Sequence, residues 1–168
     1  WGYHLGNLLI HLGAALLLFG IIRRTLARPE YEETFRRTGE WIAFACALLW
    51  CVHPLNTQAV TYLCQRAESQ MGFFYFLTLY SAIRGFDAGD RGRWGWYAAT
   101  IVASFLGMCT KQVMVSAPII VYLYDSIFVS RSYAAPWRKR GWFYAPLFAT
   151  ILILVPLQMT IAEDIKDD

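Results

Sequence analysis

The sequence predicts an all-α, polytopic membrane protein, a bundle of about six transmembrane helices with no substantial soluble domain. Hydrophobic residues make up 57% of the 168-residue chain, only 16% of residues are charged, and the charges gather in short blocks between long apolar stretches. Soluble domains usually carry about 25% charged residues. One helical crossing of a bilayer takes about 20 apolar residues. The chain therefore has room for six or seven crossings at most, and none for a globular appendage.

Six apolar segments account for these crossings. The first, third, fifth and sixth have about the length that one crossing requires. The second is short, and we expect residues 35–39 to extend it at the membrane interface. The fourth is also short, but Trp94, Trp96 and Tyr97 suit an interface. The segments are 4–22, 40–52, 59–83, 94–108, 113–129 and 142–161.

The positive charges predict the orientation of this bundle. Twelve of the fifteen Lys and Arg residues fall in the connections after the first, third and fifth segments. Positively charged loops stay on the cytoplasmic side, so this side is predicted to face inward and both ends of the chain to face outward. We expect residues 1–168 to form a single transmembrane domain that is an internal piece of a longer chain.

Polar residues of the third segment make its outer half a candidate site. Thr57, Thr61, Gln65, Glu68 and Ser69 follow helical spacing and form one polar stripe. At a rise of about 1.5 Å per residue, Glu68 lies about 15 Å below the start of the segment, near the middle of the membrane. A charge at that depth faces a water-filled cavity or an interhelical ion pair. An aqueous pocket that opens outward and a structural ion pair are both open interpretations.

Arg66 belongs to the same candidate site, at about 12 Å depth. Because Arg66 and Glu68 are two residues apart, they do not face each other on one helix, and each needs a partner elsewhere. Lys111 lies in another outer turn, directly before a helix, where an ammonium group and free N–H groups attract an anion such as phosphate. The alternative is a solvated turn lysine. His53 either caps a helix or lines the pocket.

The remaining candidate residues favour structural roles. His4, Asn7 and His11 share one face of the first segment, and interhelical hydrogen bonding is their commoner role in a membrane. The four cysteines show no ligand-like spacing, so no metal site is predicted. Asp125 is expected at the inner end, where it meets basic loop residues.

Three stretches, in order along nearly the whole chain, resemble the motifs of one family. They are residues 1–11 (WGYHLGNLLIH), 53–69 (HPLNTQAVTYLCQRAES) and 110–125 (TKQVMVSAPIIVYLYD). Together they resemble the transmembrane and tetratricopeptide-repeat proteins, multi-pass proteins of the protein O-mannosyltransferase type that have bacterial relatives.

The resemblance implies a GT-C-type glycosyltransferase core, which takes a sugar from a polyprenyl-phosphate carrier and passes it to an acceptor outside the cytoplasmic membrane. It implies that Lys111 contacts the carrier phosphate and that Arg66, Glu68, His53 and Gln65 line the substrate site. The localisation implied is a bacterial inner membrane, and the partners are the bilayer, the lipid-linked sugar and other membrane subunits. No nucleic acid and no particular cofactor is indicated.

Two departures from the family pattern bear on catalysis. The acidic residues of the first outer loop, which the family uses as the base, would lie before Trp1. The family also has Glu where this chain has Gln112, which cannot act as a base. The catalytic residues are therefore unknown, and we expect no transfer by the chain alone. A non-catalytic transmembrane subunit or scaffold of a larger complex is the alternative function, and a transporter or channel is weaker because the charges gather at one face.

Overall fold

Every element in the described part of the chain is helical. The computed structural model describes residues 2–54 and 66–153. The elements are α1 (Gly2–Leu26), α2 (Pro29–Phe35), α3 (Gly39–Val52), α4 (Arg66–Asp87), α5 (Asp90–Met108), a 3-10 turn (Gln112–Val115), α6 (Ser116–Tyr124), a π turn (Asp125–Val129), α7 (Ala135–Ala149) and a 3-10 turn (Thr150–Ile153).

The predicted all-α class is confirmed for these residues, and each of the six apolar segments coincides with a helix where it is described. Helix α2 was not predicted; it is a short helix that begins with Pro29, a residue favoured in the first turn. The expected extension of the second segment is wrong, because residues 36–38 form a turn between α2 and α3. Parts of the third and sixth segments, 59–65 and 154–161, lie outside the described residues.

Two stretches among the described helices, Leu5–Leu26 and Gln112–Val129, are long and apolar enough to cross a membrane. Gly39–Val52 is apolar but shorter. The other long helices, α4 and α5, begin or end with charged residues, which shortens their apolar stretches. The number of crossings therefore stays a prediction.

Contacts between α1 and its neighbours fix the direction of three helices. The α-carbon side of Gly13 faces the Phe73 ring, and Gly20 faces the Tyr80 ring, so α1 and α4 run parallel. Helix α3 runs antiparallel to them. The side chain of His11 reaches the backbone carbonyl of Cys51, near the end of α3. At the other end Arg23 pairs with Glu40, in the first turn of α3.

The later helices continue the alternation. Tyr97, near the start of α5, packs on Gly85, near the end of α4, so these two helices are antiparallel. Helix α7 runs parallel to α5, because Tyr97 stacks on Phe143 and Ser104 bonds to Thr150. The connections α1–α3, α4–α5 and the one that leads into α7 consequently lie at one end of the bundle. We call it the basic end, since these connections carry most of the arginines.

The packing places small and polar side chains between the helices and large apolar ones outside. Ala43, Ala82 and Thr78 are fully buried, whereas Leu16 is 70% and Trp41 73% exposed. Small residues at helix contacts are typical of membrane bundles, because they let the backbones approach closely. The largest exception is an aromatic core between α4, α5, α6 and α7. Its buried members are Ala82, Tyr97, Val121, Phe143, Tyr144 and Leu147.

Candidate functional site

An ion pair marks the end of the bundle opposite the basic end. Glu68, in the first turn of α4, accepts a hydrogen bond from the ammonium group of Lys111. Lys111 lies in the turn after α5, and its extended backbone leads into the 3-10 turn at Gln112. The side chains are 48% and 40% exposed. An ion pair this open to solvent is weak, so both groups remain accessible to a ligand.

The ion pair also corrects the expected depth of Glu68. Lys111 follows the last residue of α5, Met108, and Glu68 reaches it directly. Glu68 therefore lies level with a connecting turn, at the end of the helices and not near their middle. The expected depth of Glu68 was counted by helical rise from the start of the apolar segment. The contact with Lys111 instead places Glu68 relative to the end of α5.

Of the other predicted site residues, the structure describes His53 fully and Arg66 only in its backbone. His53 follows the last residue of α3 with an exposed side chain. Because α3 runs antiparallel to α1 and α4, it ends at the level where the described part of α4 begins, so His53 shares the end of Glu68. Arg66 is the first described residue of α4, but its side chain is outside the description. Gln65 and most of the polar stripe also lie outside the described residues, so the aqueous pocket stays a prediction.

Two hydroxyl groups that meet further along the same face of α4 were not predicted from the sequence. Ser116, at the start of α6, donates a hydrogen bond to the Tyr75 hydroxyl at 3.3 Å. Tyr75 lies seven residues after Glu68 and so on the same face of α4. This seven-residue spacing is the one sequence feature that could have predicted Tyr75 on the face of Glu68. The hydroxyl pair therefore lies about two helical turns further along α4 than the ion pair.

His11 has the structural role that its position favoured. Its Nε2 lies 2.9 Å from the carbonyl oxygen of Cys51, and its ring stacks on Trp50 at 5.0 Å. This confirms the expected interhelical hydrogen bond. Within residues 2–54 and 66–153, no three potential metal ligands come together. The neighbouring Asn7 is buried, and its Oδ1 has no hydrogen-bond partner in the described part of the chain.

Charges at the basic end are paired with one another. Arg24 and Arg28 contact the two carboxylate oxygens of Asp87 at 3.4 and 3.3 Å. Arg28, in the connection between α1 and α2, also donates to the Tyr124 hydroxyl at 3.2 Å, which links this connection to α6. These contacts join the C-terminal ends of three parallel helices. They are structural links between helices.

Asp125 is the centre of a second network at the basic end. Its fully buried carboxylate accepts hydrogen bonds from Arg140 at 2.8 and 2.9 Å, from the Tyr144 hydroxyl at 2.6 Å and from Ser130 at 2.7 Å. The expectation that Asp125 meets a basic residue of the last connection is confirmed by the contact with Arg140, and its place on the inner side of a membrane stays a prediction. Every partner is a donor, so the carboxylate is satisfied and is not a candidate for catalysis.

Comparison with known proteins adds a distant relationship to this geometry. The chain is 29% identical to protein O-mannosyl-transferase Tmtc2 of Drosophila melanogaster over 128 residues, 74% of this chain and 12% of the fly protein. It is 31% identical to protein O-mannosyl-transferase Tmtc3 of the same species over 140 residues, 72% of this chain and 15% of that protein. Human protein O-mannosyl-transferase TMTC2 is 27% identical over 130 residues, 74% of this chain and 14% of that protein. The homologues are protein O-mannosyl-transferases.

These matches support the family resemblance that the three sequence motifs indicated. The chain spans less than a sixth of the length of the relatives just described, at 12%, 15% and 14%. No protein-family model matches the chain. No solved structure matches it either. The sequence of the chain is therefore distantly related to the sequences of glycosyltransferases.

Proposed function

We propose that the chain is part of the transmembrane domain of a GT-C-type glycosyltransferase that uses a polyprenyl-phosphate-linked sugar. The observation that carries the proposal is the exposed pair of Lys111 and Glu68, at the end of the bundle opposite the arginines. The names of the distant relatives, protein O-mannosyl-transferases, support the reaction class.

The proposal places the bundle across a membrane, with six crossings in alternating direction. The exposed leucines and tryptophans, the small residues between helices and the two long apolar helices support this placement. The arginine-rich end would face the cytoplasm. The Lys111 end would face outward, and the membrane would be a bacterial cytoplasmic membrane.

At the site, Lys111 is proposed to bind the phosphate of the carrier. Because its pair with Glu68 is exposed and weak, a phosphate can share or displace Glu68 and gain charge-assisted hydrogen bonds. His53, Gln65 and Arg66 are proposed to line the substrate site beside it. We assign no catalytic base within the chain, since Gln112 cannot accept a proton, and we propose that the chain alone does not transfer sugar.

A non-catalytic subunit or scaffold is the second candidate. In the described part of the chain Glu68 and Lys111 neutralise each other without any ligand. In this second candidate the pair has a purely structural role: it holds the first turn of α4 against the turn after α5. Other membrane subunits would then be the partners.

Sugar transfer by the full-length protein distinguishes the two candidates. The substitutions Lys111→Ala and Arg66→Ala are expected to abolish transfer from a polyprenyl-phosphate sugar and to leave membrane insertion unchanged. Lys139→Ala is the matched control, because it removes the same charge from an exposed position at the basic end. Transfer by the Lys111→Ala variant at the wild-type rate would contradict the assigned site and favour the scaffold.

A further inference from the structure

We infer that the groove between α1 and α4 near the basic end binds an anionic phospholipid of the inner leaflet. The inference rests on the membrane placement proposed above and not on sugar transfer. The groove has a volume of about 350 Å³. Leu16 and Phe19 line its apolar part, Arg23 and Arg24 its basic part, and the Tyr80 ring of α4 forms a wall.

The two arginines supply the recognition of a phosphate. Arg23 pairs with Glu40 at 2.9 Å and Arg24 with Asp87 at 3.4 Å, and their side chains remain 55% and 31% exposed. A guanidinium carries five N–H donors, so one carboxylate partner leaves donors for a phosphate, which guanidinium groups bind in a bidentate manner. The Arg24 guanidinium also lies 5.8 Å from the centre of the Tyr80 ring, which holds it at the groove.

The order of residues along α1 matches the order of groups in a phospholipid. Phe19 precedes Arg23 by about one helical turn, and Leu16 by about two turns. A phosphate held at the arginines therefore directs an acyl chain along α1 toward the middle of the bundle. Basic pockets between helices on the cytoplasmic side are known places for anionic lipid head groups.

A second groove gives room for a second acyl chain. It lies between α1 and α3 and has a volume of about 380 Å³. Leu16 and Phe19 line both grooves, so the two meet on α1. Its other lining residues are Leu12, Ala15, Phe44, Ala47, Leu48 and Cys51. A two-chain lipid that straddles α1 at Phe19 would fill both.

The charges around the groove select an anionic lipid over a zwitterionic one. Three arginines lie here: Arg23 and Arg24 in the last turn of α1, and Arg28 just after it. They pair with two carboxylates, those of Glu40 and Asp87. The excess is positive. A choline head group would bring a further cation to this place, whereas a phosphatidylglycerol head group brings only the phosphate charge.

Native mass spectrometry of the full chain in detergent tests the inference with dioleoyl phosphatidylglycerol and dioleoyl phosphatidylcholine as probes. The double substitution Arg23→Gln and Arg24→Gln is expected to weaken phosphatidylglycerol binding about thirtyfold. The control, Arg138→Gln with Lys139→Gln, removes two exposed charges at the same end, away from the groove. Its binding is expected to stay within about twofold of wild type, since distant exposed charges are screened.

A second variant tests the groove without touching its charges. Leu16 is 70% exposed, so Leu16→Trp fills the place where both grooves meet without disturbing the core. It is expected to weaken binding of phosphatidylglycerol while the protein stays folded. Glycerol phosphate, which lacks acyl chains, is expected not to compete.

Three outcomes would overturn the inference: equal losses in the arginine variant and its control, no preference for phosphatidylglycerol, or competition by glycerol phosphate. Its failure is distinguishable from failure of the proposed function. If alkaline carbonate released the chain from membranes, the membrane placement itself would fall. If the chain stayed embedded but bound both lipids alike, only the lipid site would fall.

Discussion

The buried carboxylate of Asp125 offers the sharpest prediction on stability. It is fully buried and receives hydrogen bonds from Arg140, Tyr144 and Ser130. The substitution Arg140→Ala removes the only cation that contacts this carboxylate within the described residues. Burying a charge without a counter-charge is unfavourable, because the desolvation of the carboxylate is no longer offset.

The magnitude follows from what each substitution leaves behind. Arg140→Ala leaves a buried charge with two hydroxyl donors, which is expected to lower the free energy of unfolding by about 3–5 kcal/mol. Tyr144→Phe removes one hydrogen bond to a charged acceptor and leaves the ion pair, so about 1.5–3 kcal/mol is expected. Arg138→Ala, an exposed position on the same helix, is the control, and its effect is expected to stay within about 0.5 kcal/mol.

Reversible unfolding in mixed detergent and SDS micelles, followed by circular dichroism, measures these differences. A double-mutant cycle adds Asp125→Asn, which removes the buried charge. In that background Arg140→Ala is expected to have a much smaller effect, since the two residues are in direct contact and their energies do not add. Equal effects of Arg140→Ala and Arg138→Ala on the free energy of unfolding would refute the reasoning.

Three further substitutions test the packing in the same assay. Gly85→Ala is expected to destabilise the bundle by about 1–3 kcal/mol, because the new β-carbon would lie 2.6 Å from the buried Tyr97 ring. Gly72→Ala on the same helix meets no atom within 4 Å and is expected to stabilise it by about 0.5–1 kcal/mol; a loss equal to that of Gly85→Ala would contradict the packing. His11→Ala removes the hydrogen bond to the Cys51 carbonyl and is expected to cost about 2 kcal/mol; an unchanged free energy of unfolding would mean that this bond is not formed.

The helices could be predicted from the sequence because apolar runs and charged breaks are local signals. A long apolar run such as that of α1 satisfies its own backbone only as a helix in an apolar environment. Helix α2 carries no such signal, since its acidic residues and Pro29 resemble a polar connection. It becomes a helix where Pro29 starts it, and an ion pair of Glu30 with Arg131 connects it to the segment before α7.

The residues of the candidate site could be predicted from the sequence, but the contacts between them could not. Glu68 and Lys111 were both identified as candidates, but nothing local indicated that they pair, because 43 positions separate them. The depth of Glu68 was wrong for the same reason, since it depends on where α5 ends against α4. Asp125 was placed correctly at the end of the bundle opposite Lys111, because its distance from that turn along the chain follows from helical rise alone.

Cysteine labelling in intact cells tests the central claim that the two ends of the bundle lie on opposite sides of a membrane. Cys109 is exposed and lies two residues before Lys111, so it is a natural reporter once Cys46, Cys51 and Cys64 are replaced by alanine. A membrane-impermeant maleimide is predicted to label Cys109 in intact cells. It is predicted to label an Arg138→Cys variant that lacks Cys109 only after the membrane is permeabilised. Labelling of both positions from the same side would contradict the account.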